Sequence, residues 1–226
     1  MPDTITAGEP PVTVRRYAAA EPANALIVLA HGAGAGQESP FMVRAAQGLA
    51  ARGIDAVTFN FPYMERRAKL PNPAPQLERC YRDVIGALET HGWLRSRALF
   101  IGGKSMGGRM ATHLAADREP LAHPLAGVVL LGYPLHPPGR PAQLRAAHLP
   151  AIEVPVLVVQ GTRDAFGGVD EVRAAFALLG SRVTFHAVEG GDHSFRVTGL
   201  AKADQPRVLE DILDAVSAWV RERAGA

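Results

Sequence analysis

At 226 residues, with 47% hydrophobic and 20% charged side chains, the chain has the make-up of a globular domain able to bury about 70% of its unfolded surface. A formal net charge of +2 is too small to point to nucleic acid or an anionic membrane, and Cys80, the sole cysteine, excludes an intrachain disulfide. Met1–Pro11 lacks the apolar core of a signal peptide and no run reaches the ~18 apolar residues of a membrane span, so one cytoplasmic domain over 1–226 is expected.

Val12–Tyr17 alternates loosely and reads as an edge strand. Ala25–Ala30 is apolar throughout, which suits a strand buried on both faces of a parallel sheet. It runs into the turn His31-Gly32-Ala33-Gly34-Ala35-Gly36. Ser39 and Pro40 then open a helix over Phe41–Arg52, with Met42, Ala45, Ala46 and Leu49 at helical spacing and Gly53 as its stop. Ile54–Phe59 is the next strand. Met64–Pro75 reads as a polar loop whose Arg66, Arg67 and Lys69 form a solvated face.

Gln76–His91 carries an apolar helical stripe of Leu77, Val84, Ile85 and Leu88. A short apolar run over Ala98–Ile101 enters Gly-Gly-Lys-Ser-Met-Gly-Gly, and a helix over Ser105–Ala116 follows. Strands are expected at Ala126–Leu131, Pro155–Gln160 and Val183–Val188, and helices at Val169–Leu179 and Ala203–Arg223. His136–Leu149 has at most a helical turn or two, and Glu189–Leu200 is a loop. This alternation predicts a three-layer, doubly wound, mostly parallel sheet with helices on both faces. Sites in such sheets form at the carboxyl ends of strands.

Gly103, Ser105 and Gly107 fill a G-x-S-x-G pattern, a strand turning sharply into a helix with serine at the apex. The glycines permit close backbone approach, and the hydroxyl becomes a useful nucleophile only beside a base. Asp164 and His193 also follow strands, and the order serine, acid, histidine is one known order of a catalytic triad. Asp192 and Asp170 are rival acids: the first is the sequence neighbour of His193, the second a helix cap. His31 reads as a loop brace. Gly103-Lys104-Ser105 is no phosphate loop, because the required leading glycine is Ala98, inside the strand. The glycines after His31 miss the dinucleotide spacing, and no cluster has zinc spacing, so neither cofactor nor metal is expected.

Four motifs, His-Gly-Ala-Gly at His31–Gly34, Gly-Lys-Ser-Met-Gly at Gly103–Gly107, Gly-Thr-Arg-Asp at Gly161–Asp164 and Gly-Asp-His-Ser at Gly191–Ser194, resemble the α/β-hydrolase superfamily. Within it, the chain from about Val12 to Arg223 is similar to the small, lidless, dienelactone-hydrolase-like members. The resemblance implies Ser105 as nucleophile, His193 as general base, Asp164 as its orienter, and the N–H groups of Met106 and Ala33 as the oxyanion hole. The expected reaction is hydrolysis of a small ester or thioester. Gly132–Val154 is too short for a lid domain, which implies a shallow, open pocket, with Tyr63, Lys104, Leu135 and Phe166 as its walls, and Phe61 and Phe195 as further candidates. A peptidase or amidase with the same triad is one alternative. A non-catalytic binding or scaffold protein is another, because His-Gly-Ala-Gly, Phe-Asn-Phe-Pro-Tyr and Gly-Lys-Ser-Met-Gly-Gly-Arg also resemble a branch containing a chromatin-complex subunit.

Overall fold

The computed structural model describes residues 2–21 and 23–225; Met1, Pro22 and Ala226, which belong to the span expected as one domain, lie outside the described residues. One eight-stranded sheet organises them. Its strands are β1 (Asp3–Ala7), β2 (Val12–Tyr17), β3 (Ala25–Ala30), β4 (Asp55–Phe59), β5 (Ala98–Lys104), β6 (Leu125–Leu131), β7 (Val156–Gly161) and β8 (Val183–Val188), in the order β1-β2-β4-β3-β5-β6-β7-β8. β1 and β2 run antiparallel to their neighbours, and β4 through β8 pair in parallel.

The alternation of side chains along β3 divides the core in two. Leu26, Val28 and Ala30 face α2 (Pro62–Glu65), α3 (Ala74–Thr90), α4 (Met106–Ala116) and α5 (Val169–Ala175). Ala25, Ile27 and Leu29 face α1 (Pro40–Ala51) and α6 (Gln205–Ala224). Both faces are covered, which is why β3, β4 and β7 are buried from end to end. The chain leaves β3 for β4 on one side and then crosses to β5 on the other. The crevice above β3 and β5 is therefore the switch point where a site is expected.

Three details differ from the sequence reading. Val12–Tyr17 is not the edge, because Asp3–Ala7 pairs outside it; the outer strand is mostly exposed and carries no apolar run. The helix expected over Val169–Leu179 ends at Ala175 and continues as a 3₁₀ stretch, Ala177–Arg182, with Gly180 at φ 58°. Pro62–Glu65 is a short helix where a loop was expected to begin. Between β6 and β7 the only regular element among the described residues is a 3₁₀ turn, Leu149–Ala151, and no lid is present there. Arg66, Arg67 and Lys69 are exposed.

Candidate active site

The end of β5 is built around close backbone approach. A Cβ on Gly103 would lie 2.3 Å from the Ala30 carbonyl oxygen, and one on Gly107 would lie 2.2 Å from the same atom. Only hydrogen at both positions lets the turn press against β3. Ser105 is thereby held at φ 52°, ψ −116°, a conformation that costs a non-glycine residue about 1–3 kcal/mol. Its N–H donates to Leu131 O at 3.1 Å, which fixes the apex against β6.

His193 arrives from the loop after β8. Its Nε2 lies 2.8 Å from Ser105 Oγ and its Nδ1 2.7 Å from Asp164 Oδ2. The network assigns the proton to Nδ1, donating to the carboxylate, and leaves Nε2 to accept from the hydroxyl. Asp164 is fully buried, and its other oxygen accepts the Phe166 N–H at 2.8 Å. The rival acids are occupied elsewhere. Asp192 Oδ1 accepts the N–H groups of Ser194 and Arg196 and so shapes the histidine loop. Asp170 is exposed in the first turn of α5, paired with Arg173.

Among the described residues, the N–H groups of Ala33 and Met106 donate to no protein acceptor. The Gly32 backbone next to Ala33 abuts Ser105, its ideal Cβ position being 3.6 Å from the serine Cβ. Met106 opens α4, whose positive end faces the same place. His31 braces this loop. Its Nδ1 donates to Gly32 O at 2.8 Å, and its Nε2 accepts the Phe61 N–H at 3.0 Å. Burial lowers its pKa to about 4, so the ring is neutral near pH 7.

A family model described as an alpha/beta hydrolase domain matches residues 23–221. The chain belongs to the α/β-hydrolase family. The hydrolase is similar in structure to a lidless α/β serine hydrolase from Xanthomonas campestris, with a TM-score of 0.75 at 20% identity over 98% of this chain and 94% of that one. It is equally similar to a dienelactone hydrolase from Anabaena variabilis, TM-score 0.75, 19% identity and 98% of both chains. An esterase from Pyrococcus furiosus matches with a TM-score of 0.75 at 13% identity, over 99% of this chain and 92% of that one. At such identities the likeness speaks for the fold. No described helix of the hydrolase is long and apolar enough to cross a membrane. Its described residues hold no group of three or more His, Cys, Asp or Glu that could bind a metal ion.

Ser105 and His193 open into a cleft of about 840 Å³, more room than a small acyl group fills. Two expected walls are present: Phe166, whose ring lies 4.2 Å from that of His193, and Lys104. Phe195 lines it as well. Tyr63, Leu135 and Phe61 do not. Tyr63 is 1% exposed, and its hydroxyl donates to Ala33 O at 2.9 Å, pinning the loop from beneath. Leu135 and Phe61 are buried in the core on the α3–α4 side, so the turns after β6 and β4 send those side chains inward rather than over the serine.

Lys104 does more than line the cleft. Its ammonium donates to His193 O at 2.5 Å and sits 5.2 Å over the Phe195 ring, tying the residue before the serine to the histidine loop. Burial lowers its pKa to about 8, against the opposing pull of Asp164 and Asp192. Gln160, which belongs to none of the four motifs, is fully buried at the end of β7. Its Nε2 donates to Asp164 Oδ2 at 3.0 Å and to Gly167 O at 2.8 Å, while its Oε1 accepts the Tyr133 N–H at 2.7 Å. The signal was a lone amide closing the apolar run Val156–Val159. A buried amide there must be paired on both sides.

Proposed function

We propose that the protein is a serine hydrolase that cleaves an ester or thioester through an acyl-enzyme on Ser105. The observation that carries the reading is the unbroken hydrogen-bond chain from Asp164 through His193 to Ser105. As Ser105 Oγ attacks the carbonyl carbon, its proton passes to His193 Nε2, and Asp164 stabilises the imidazolium. Charge builds on the former carbonyl oxygen, where the Ala33 and Met106 N–H groups are free to donate; each such donor is worth about 3–4 kcal/mol in the transition state. Collapse breaks the bond to the leaving group, which takes the proton from His193. Water, deprotonated by the same imidazole, then releases the acid and restores the serine.

A fluorophosphonate probe should label the folded protein at Ser105, and Ser105→Ala should abolish the adduct. A panel of nitrophenyl esters set against aminoacyl amides separates esterase from peptidase. Absence of labelling in folded wild-type protein would favour the scaffold alternative.

A further inference from the structure

The cleft is lined by six cationic side chains, Arg44, Lys104, Arg109, Arg145, Arg196 and Lys202, and by no aspartate or glutamate. Among the described residues none of the six lies within 4.0 Å of a carboxylate, whereas Arg15, Arg16, Arg52, Arg82 and Arg97 on other surfaces all do. The nearby acids are engaged already: Glu78 by His113 at 2.6 Å, Asp164 by His193, and Asp192 by loop N–H groups. With an overall charge of only +2, this is a local concentration and not a property of the whole surface. Cations facing one cavity with no carboxylate in direct contact hold a potential that favours an anion there.

Within the set, Arg109 and Arg145 are half-buried and Arg44, Arg196 and Lys202 are exposed at the rim. Lys104 is committed to His193 O. Arg109 stands one helical turn beyond the serine, its N–H bonded to Ser105 O at 3.1 Å, and its buried Nε has no hydrogen-bond partner. Arg145 is held by its main chain, bonded to Leu135 O and to the Tyr133 hydroxyl, and its guanidinium reaches only Pro134 O, at 3.3 Å. Burial first and then the neighbouring Arg145 lower the Arg109 pKa, with Tyr133 and Glu78 pulling the other way, and an anion between the two arginines would oppose that lowering. The pair stands over the α3–α4 face of the sheet. Over the opposite face, the cleft is walled by Phe41, Phe195, Val208 and Leu209. Ser105 lies at the end of β5, between the two.

We propose that the substrate is an ester or thioester with two unlike arms, a carboxylate-bearing arm held by Arg109 and Arg145 and an apolar arm laid against Phe41, Phe195, Val208 and Leu209. The proposal rests on the hydrolase reading above and narrows its substrate class. The rim cations steer the anion inwards, and a planar guanidinium pair suits a carboxylate.

The test compares 4-nitrophenyl hemiadipate with 4-nitrophenyl hexanoate. The hemiester should be preferred in kcat/KM by at least about tenfold, the scale of one charge-assisted hydrogen bond. Arg109→Gln and Arg145→Gln should each reduce that preference by about the same factor, and rising ionic strength should erode it. Equal turnover of the two esters, or a preference that survives both substitutions, would overturn the proposal. Binding to the Ser105→Ala protein, read by calorimetry with adipic acid monoanilide against hexananilide, needs no turnover. If neither ester is cleaved the proposed reaction fails, yet tighter binding of the monoanilide still supports the anion site, and equal binding refutes it.

Discussion

Replacing Lys104 by methionine keeps the length of the side chain and its packing against Phe195, but removes the ammonium that holds His193 O at 2.5 Å. A hydrogen bond from a charged donor is worth about 1.5–3 kcal/mol, and misplacing the imidazole raises the barrier by the share of that energy spent on holding it. At about 1.4 kcal/mol per factor of ten, Lys104→Met should lower kcat by about 10- to 100-fold, with a smaller change in KM. The pH dependence follows from burial, which lowers the Lys104 pKa to about 8. The ammonium is present below that value and lost above it, so the advantage of wild type over the variant should be full at neutral pH and shrink as pH rises through about 8. The assay is steady-state release of nitrophenol from a neutral ester between neutral and alkaline pH, corrected for spontaneous hydrolysis. A kcat within twofold of wild type, or a change confined to KM, would show that Lys104 merely lines the cleft; a ratio constant across pH would show that its charge plays no part.

Gly107→Ala puts a Cβ 2.2 Å from Ala30 O and 2.8 Å from His31 O, both main chain and unable to swing aside; unfolding by urea should show a loss of at least about 1–3 kcal/mol, and unchanged stability would mean the elbow is looser than described. Gln160→Leu leaves the buried Tyr133 N–H and Gly167 O short of a partner, so stability should fall by about 2–4 kcal/mol, and kcat should fall too because Asp164 loses a donor. Burial lowers the pKa values of His31 and His148 to about 4, so on acidification the unfolded chain gains protons near pH 6.5 that the folded one refuses. The melting temperature should therefore drop steadily between about pH 6.5 and 4. His148→Gln should flatten that slope; an identical slope in the variant would remove His148 from the account.

Much of the candidate site is legible in the sequence because its geometry is imposed by backbone chemistry. Gly103 and Gly107 around Ser105 admit few structures other than a tight strand-to-helix turn, and Asp164 and His193 stand three and five residues after strands whose ends a parallel sheet gathers along one edge. The buried strands and the stripes of α3 and α6 follow from periodicity alone, because each element must cover one side of the sheet. The outer strand Asp3–Ala7 is not legible, since pairing at an edge leaves little hydrophobic trace. Cleft walls fail for a related reason: Tyr63, Leu135 and Phe61 are apolar residues after strands, as Phe166 is, and only the path of each turn decides which faces the core and which the solvent.

Local sequence thus determines the elements, their order and the three side chains brought to one edge, because strand burial, glycine contacts and turn position are properties of short segments. Tertiary structure alone decides which acid reaches His193, that Lys104 clamps the histidine loop, that Gln160 holds Asp164, and that six cations in contact with no carboxylate surround the cleft. Gln160 and Asp164 are only four positions apart, but the histidine contacts join residues 29 and 89 positions apart, where no pattern along the chain specifies which groups end up as neighbours.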